Sequence, residues 1–144
     1  MIGKVKIRHL FLLAWLAALS TKAQVSSENY VQTTERISDT QVLSTTEYYD
    51  GLGRPFEMVE QKKTPDGANL IHLKEYDGLG RDWKTWLPVK DASDFLSISA
   101  ARSQGNNQYR DSHAFSLTEY DGSPLNRINT VEGVGAEWTS HPVK

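Results

Sequence analysis

Apolar and polar residues alternate with a period of two through most of the chain beyond residue 40, the pattern of half-buried β-strands. "DTQVLSTTEYYD", residues 39–50, is dense in Thr, Val and Tyr, side chains that suit a pleated surface. "PFEMVEQKKT", residues 55–64, places Phe56 and Met58 on one face and Glu57 and Val59 on the other. "ANLIHLKEYD", "RDWKTWLP" and "SHAFSLTEYD" continue the series. Asp50-Gly51-Leu52-Gly53, Pro65-Asp66-Gly67 and Gly78-Leu79-Gly80 interrupt it with residues that tolerate positive φ and reverse the chain. The pattern predicts an all-β fold, a β-meander of hairpins, with Phe56, Val59, Leu70, Leu73 and Trp83 as core positions. A helix-compatible insert falls at about residues 89–112. Its helix is expected around Ser93 to Ser103, with Asp91 or Ser93 as N-cap and Gly105 as the stop.

The turns carry a repeated phrase. "EYYDGLGRPFEMV" (47–59) returns as "KEYDGLGRDWKTW" (74–86) and, altered, as "TEYDGSPLNRINTV" (118–131). Tyr49, Tyr76 and Tyr120 end strands, where a ring can lie over the neighbouring strand while its hydroxyl stays wet or finds a backbone partner. Asp50, Asp77 and Asp121 can accept hydrogen bonds from backbone N–H groups of the turns they open. Gly51, Gly53, Gly78, Gly80 and Gly122 let the chain reverse. Arg54, Arg81 and Arg127 can then reach back to an aspartate on the same or an adjacent turn. Each unit is expected to lock its own hairpin. Repeat units bury their faces against neighbours and need several copies. Two clean units and one variant therefore read as the beginning of something longer.

Lys4, Lys6 and Arg8 precede the apolar run Leu10 to Leu19 and the small polar stretch "STKAQ", the plan of a secretory signal peptide with cleavage expected after Ala23. The run falls well short of the roughly 20 residues that span a bilayer, so no membrane span is expected after cleavage. An uncleaved anchor and an amphipathic targeting helix remain the alternatives. The expected organisation is a signal peptide over residues 1–23, a polar extended leader over 24–40 and the β domain over 41–144. The expected location is secreted or at the cell surface. The chain has 144 residues, a net charge of -2 and no cysteine. That excludes disulfides and thiolate metal sites and offers no basic field for nucleic acid.

No constellation for catalysis stands out. Histidines occur at positions 9, 72, 113 and 141 without metal-ligand spacing. The recurring aspartates lack the spacing of a Ca²⁺ loop, Gly-Leu-Gly lacks the context of a phosphate cradle, and no Gly-x-Ser-x-Gly elbow occurs. The chain reads as a non-enzyme with no cofactor and no metal. Trp83 and Trp86, three apart and so on opposite strand faces, are candidate glycan contacts should one ring be exposed.

The recurring Tyr-Asp-Gly-Leu-Gly-Arg at Tyr49–Arg54 and Tyr76–Arg81, with the variant "YDGSPLNRI" at Tyr120–Ile128, resembles the units of the Rhs/YD-repeat proteins. The order of signal peptide, two units, a "WLP" stretch, a helical insert and "SPLNR" is similar to the N-terminal domain of unknown function that precedes the repeat array in secreted bacterial members. The resemblance covers roughly Asn29 to Lys144. It implies a non-catalytic structural module, an incomplete part of a larger β-shell that encloses a C-terminal effector absent from this chain. Its partners would be the remaining YD-repeat segments of the same or a split chain. The alternative is a stand-alone extracellular module that binds cell-surface glycans.

Overall fold

The computed structural model describes residues 28–143, so the expected signal peptide lies outside the described residues. The alternating runs form five strands, β2 (Val42–Tyr49), β3 (Pro55–Glu60), β4 (Asn69–Tyr76), β5 (Asp82–Trp86) and β7 (Phe115–Tyr120), and three more appear where no run was marked: β1 (Asn29–Arg36), β6 (Val89–Asp91) and β8 (Ile128–Glu132). One helix, α1 (Ile98–Tyr109), lies between β6 and β7, and a short 3-10 helix (Ala136–Ser140) follows β8. The fold is thus mostly antiparallel β with a short helical insert.

All strands join one antiparallel sheet in the order β1-β2-β3-β4-β5-β7-β8. On the side away from β3, β4 is shared: its first half pairs with β6 and its second half with β5. Leu87 and Pro88 separate these two partners, and Pro88, which has no N–H, cannot continue a ladder. β5 also pairs with β7, which carries the sheet on to β8. The polar segment expected to be a leader outside the domain instead contains β1, paired residue for residue with β2 from Asn29↔Tyr49 to Arg36↔Val42. Its Thr-rich sequence satisfies the backbone bonds of β2 although every residue of β1 is exposed.

The core lies on one face of the sheet beneath α1, where Val59, Ile71, Leu73, Trp86, Ala101, Ala114 and Phe115 pack with Tyr48 and Phe56. Two expected core positions differ. Leu70 is only half-buried because Ile71 and Leu73 take the core face of β4, so Leu70 points to the other side. Trp83 is half-buried at an irregularity of β5.

Phe56 also departs from simple alternation. The register shift at Tyr48/Tyr49 makes Phe56 an extra residue on β3. It turns inward, edge-on to Phe95 at 6.4 Å between ring centres, and so shares the core with Val59. Helix α1 begins later than expected: Ser97 is the N-cap, its Oγ accepting from the Ala100 amide at 3.3 Å. Gly105 does not stop the helix. It sits inside it because a Cβ there would meet Trp86 at 3.3 Å, and Arg110 in the left-handed region ends the helix.

Candidate functional site

The repeated turns occupy one end of the sheet, and two of them share their geometry. Asp50 Oδ1 accepts from the amides of Leu52 and Arg54, both at 2.9 Å, while Oδ2 accepts from Arg54 Nε at 2.8 Å. Asp77 repeats this with Leu79, Arg81 and Arg81 Nε at 2.9, 2.9 and 2.7 Å. The backbone closes both turns through aspartate N–H to arginine carbonyl, at 3.0 Å in each. Gly53 and Gly80 supply the positive φ, +76° and +82°, that the residue before the arginine requires. The backbone N–H groups of the arginines, followed by their guanidinium groups in the case of Asp50, hold both carboxyls below the ordinary aspartate value.

The third turn keeps the backbone plan but changes its chemistry. Asp121 N–H donates to the Arg127 carbonyl at 2.9 Å, and Asn126 takes the positive φ, +53°, that glycine takes elsewhere. The longer loop brings the Ser123 hydroxyl to both Asp121 oxygens, at 2.8 and 2.9 Å. The Arg127 side chain therefore leaves its own aspartate and is exposed.

Besides locking their own hairpins, Arg54 and Arg81 each reach the next unit. The guanidinium of Arg54 lies 4.5 Å from the ring centre of Tyr76, and that of Arg81 lies 4.5 Å from the ring centre of Tyr120. In return the Tyr76 hydroxyl donates to the carbonyl of Pro55 at 2.6 Å, and that of Tyr120 to the carbonyl of Asp82 at 3.0 Å. Both carbonyls belong to the residue just after the arginine. Arg81 Nη1 also donates to the Asp121 carbonyl at 3.2 Å, and a Cβ on Gly80 would stand 2.6 Å from Arg54 Nη1. Aspartate, arginine and the next tyrosine thus form a ladder across β3-β4 and again across β5-β7. A cation over a ring contributes about 0.5–1 kcal/mol at such partly exposed sites. A neutral hydrogen bond contributes about 1 kcal/mol.

The sequence pattern identified the residues of each turn but not the partners between turns. Arg54 precedes Tyr76 by a different interval than Arg81 precedes Tyr120, so no fixed spacing marks the pairs. The signal within reach was that glycine recurs beside the position an arginine must cross.

Each repeat also ends in a register shift, at Tyr48/Tyr49, Glu75/Tyr76 and Glu119/Tyr120. The residue opposite the shift is Phe56, Trp83 or Asn129. Trp83 lies there with Lys84 Nζ 4.3 Å from its ring centre, beside an open groove of about 330 Å³ bordered by Arg81, Glu119 and Asn129. Trp86 is buried, its Nε1 donating to Glu75 Oε1 at 2.6 Å, and offers no ring to a glycan. Glu75, itself buried, also binds Arg102 of α1 and so ties the helix to the sheet.

A larger open groove, about 770 Å³, runs between the first turn and the start of α1. Its cations are engaged: Arg54 by Asp50, Lys74 by Asp82 and Arg102 by Glu75. His72 faces Glu60 at 3.1 Å on the sheet surface. Among the described residues no group of three His, Asp or Glu side chains is placed to hold a metal ion.

No curated protein and no solved structure matches this chain. Residues 20–144 match a family described as a domain of unknown function, DUF6443. That match spans the repeats, the helix and all eight strands, and the chain belongs to the DUF6443 family.

Proposed function

We propose that the chain is a non-catalytic structural module, the N-terminal part of a shell built from YD repeats of the Rhs type. The observation that carries this reading is the ladder in which Arg54 and Arg81 each clamp their own aspartate and stack on the tyrosine of the following unit. Such a device holds consecutive strand pairs in register, and the polar chemistry of the turns is consumed in doing so. Its partners are further YD-repeat segments, in the same chain or a split one. Export through the N-terminal apolar segment fits the role, and sequencing the mature protein from its N-terminus should find Gln24 first.

The test is the reading frame beyond the codon for Lys144. A frame carrying more Tyr-Asp-Gly-x-Gly-Arg units is expected. A stop codon followed by unrelated sequence would overturn the shell reading.

A second reading, a module that binds cell-surface glycans, rests on the groove beside Trp83 alone. Quenching of tryptophan fluorescence by oligosaccharides, abolished by Trp83→Ala, would favour it. Lys84 above the ring is the reason it ranks second.

A further inference from the structure

We infer that the sheet has one finished edge and one unfinished edge, and that the outer edge of β8 receives an antiparallel strand ending in a tyrosine that stacks on Arg127. This rests on the structural reading above and specifies the partner of that module.

Two pairs in the molecule establish the rule. Arg54 lies over Tyr76 and Arg81 over Tyr120, with each tyrosine hydroxyl donating to the carbonyl after the arginine. At β8 the corresponding groups are Arg127 and the Ile128 carbonyl. Arg127 is exposed, and among the described residues no carboxylate or ring lies against its guanidinium, because Ser123 holds the aspartate of that turn. Ile128 beside it is 60 % exposed. Pairing on this edge has already begun: Val131 and Val143 exchange two backbone hydrogen bonds of 2.9 Å.

That bridge sets the register. Arg127 precedes Val131 by four residues, so the place opposite it in an antiparallel partner is four residues past Val143. A tyrosine there would meet the guanidinium as Tyr76 and Tyr120 meet theirs.

The β1 edge differs in each respect. Asn29 occupies the place opposite Tyr49 where the other pairs have arginine. The Tyr49 hydroxyl donates to Glu47 of its own strand at 2.7 Å instead of crossing to a neighbour. Glu35 and Arg36 add charge to that edge strand, which discourages further pairing. Growth of the array is therefore directed beyond β8.

The test uses the full chain extended after Lys144 by Thr-Glu-Tyr-Asp, which places tyrosine four residues past Val143. A control extension, Thr-Tyr-Glu-Asp, shifts it by one position and hence to the opposite face. Amide hydrogen exchange of β8 is compared in both, with and without Arg127→Ala. The in-register extension should slow exchange at β8 about ten-fold relative to the shifted one, and Arg127→Ala should erase the difference. Equal protection by both extensions, or protection indifferent to Arg127, would overturn the proposal. Arg54→Ala, read at β3 and β4, separates the levels. If it speeds exchange there while no extension protects β8, the edge assignment fails and the structural reading stands. If it changes nothing, the ladder has no clamping role and both fail.

Discussion

Replacing Glu57 with glutamine should flatten the dependence of stability on pH between about pH 5 and pH 8. Glu57 is 2 % exposed, opposite Tyr48 on one side and Leu73 on the other. Its Oε1 accepts from the Leu96 amide at 3.0 Å, while Oε2 has no hydrogen-bond partner among the described residues. Burial pushes this carboxyl from 4.5 up to about 7, against the opposing pull of the Leu96 amide. Between those two values the folded chain holds a proton that the unfolded chain has released. Stability is therefore fully supported below the unfolded value and declines as pH rises toward the folded one. A tenfold change in proton affinity corresponds to about 1.4 kcal/mol, so the decline totals roughly 3 kcal/mol.

Urea unfolding followed by tryptophan fluorescence, repeated across this pH range at constant ionic strength, measures the effect. Glutamine keeps the acceptor for Leu96 and cannot ionise. The variant should be no more stable than the parent near pH 5, owing to its unpaired amide, and more stable near pH 8. Contributions common to both proteins cancel in the difference. Parallel curves for the two proteins would refute the reasoning, since they would mean that Glu57 stays ionised and solvated in the folded chain.

Three further outcomes follow from the ladder. Gly53→Ala and Gly80→Ala each force a side chain into the left-handed region at a cost of about 1 kcal/mol. Gly80→Ala should cost roughly 0.5–1 kcal/mol more, because its Cβ displaces Arg54 from Tyr76 whereas the space at Gly53 is open; equal urea midpoint shifts would contradict that contact. Tyr76→Phe should lower stability by about 1 kcal/mol through loss of the bond to the Pro55 carbonyl, with Tyr49→Phe costing less because its hydroxyl bonds within its own strand. Asp50 and Asp77 have folded values below the ordinary 3.8, so their contribution is present above that pH and is lost as pH falls through the lowered values. The amide signals of Leu52 and Leu79 should hold steady down to the ordinary aspartate range and shift together only below it; a shift beginning above that range would show that the carboxylates are not held.

The turns were legible in the sequence because their chemistry is local. In the first two, aspartate, a glycine with positive φ and arginine meet within five residues, and local backbone geometry closes them. Strands β2, β3, β4, β5 and β7 were legible for the same reason, since an alternation of two needs no knowledge of the partner strand, whereas the short β6 and β8 carry too few residues to show one. The helix was legible as an element but not in its bounds, because Gly105, a stop by propensity, sits inside it in close approach to Trp86.

What the alternation could not supply was the face of each residue near a turn. The shift of register at the end of β2 turns Phe56 inward beside Val59, and the shifts at the ends of β4 and β7 displace Trp83 and Asn129 in the same way. Nor could it supply the membership of β1, whose polar residues look unstructured until β2 provides their partners. The ladder itself belongs to the tertiary structure. Arg54 meets Tyr76, and Arg81 meets Tyr120, only because pairing of β3 with β4 and of β5 with β7 brings separate turns side by side. Contacts inside a turn are set by a few consecutive torsions, whereas contacts between turns depend on which strands pair and in what register.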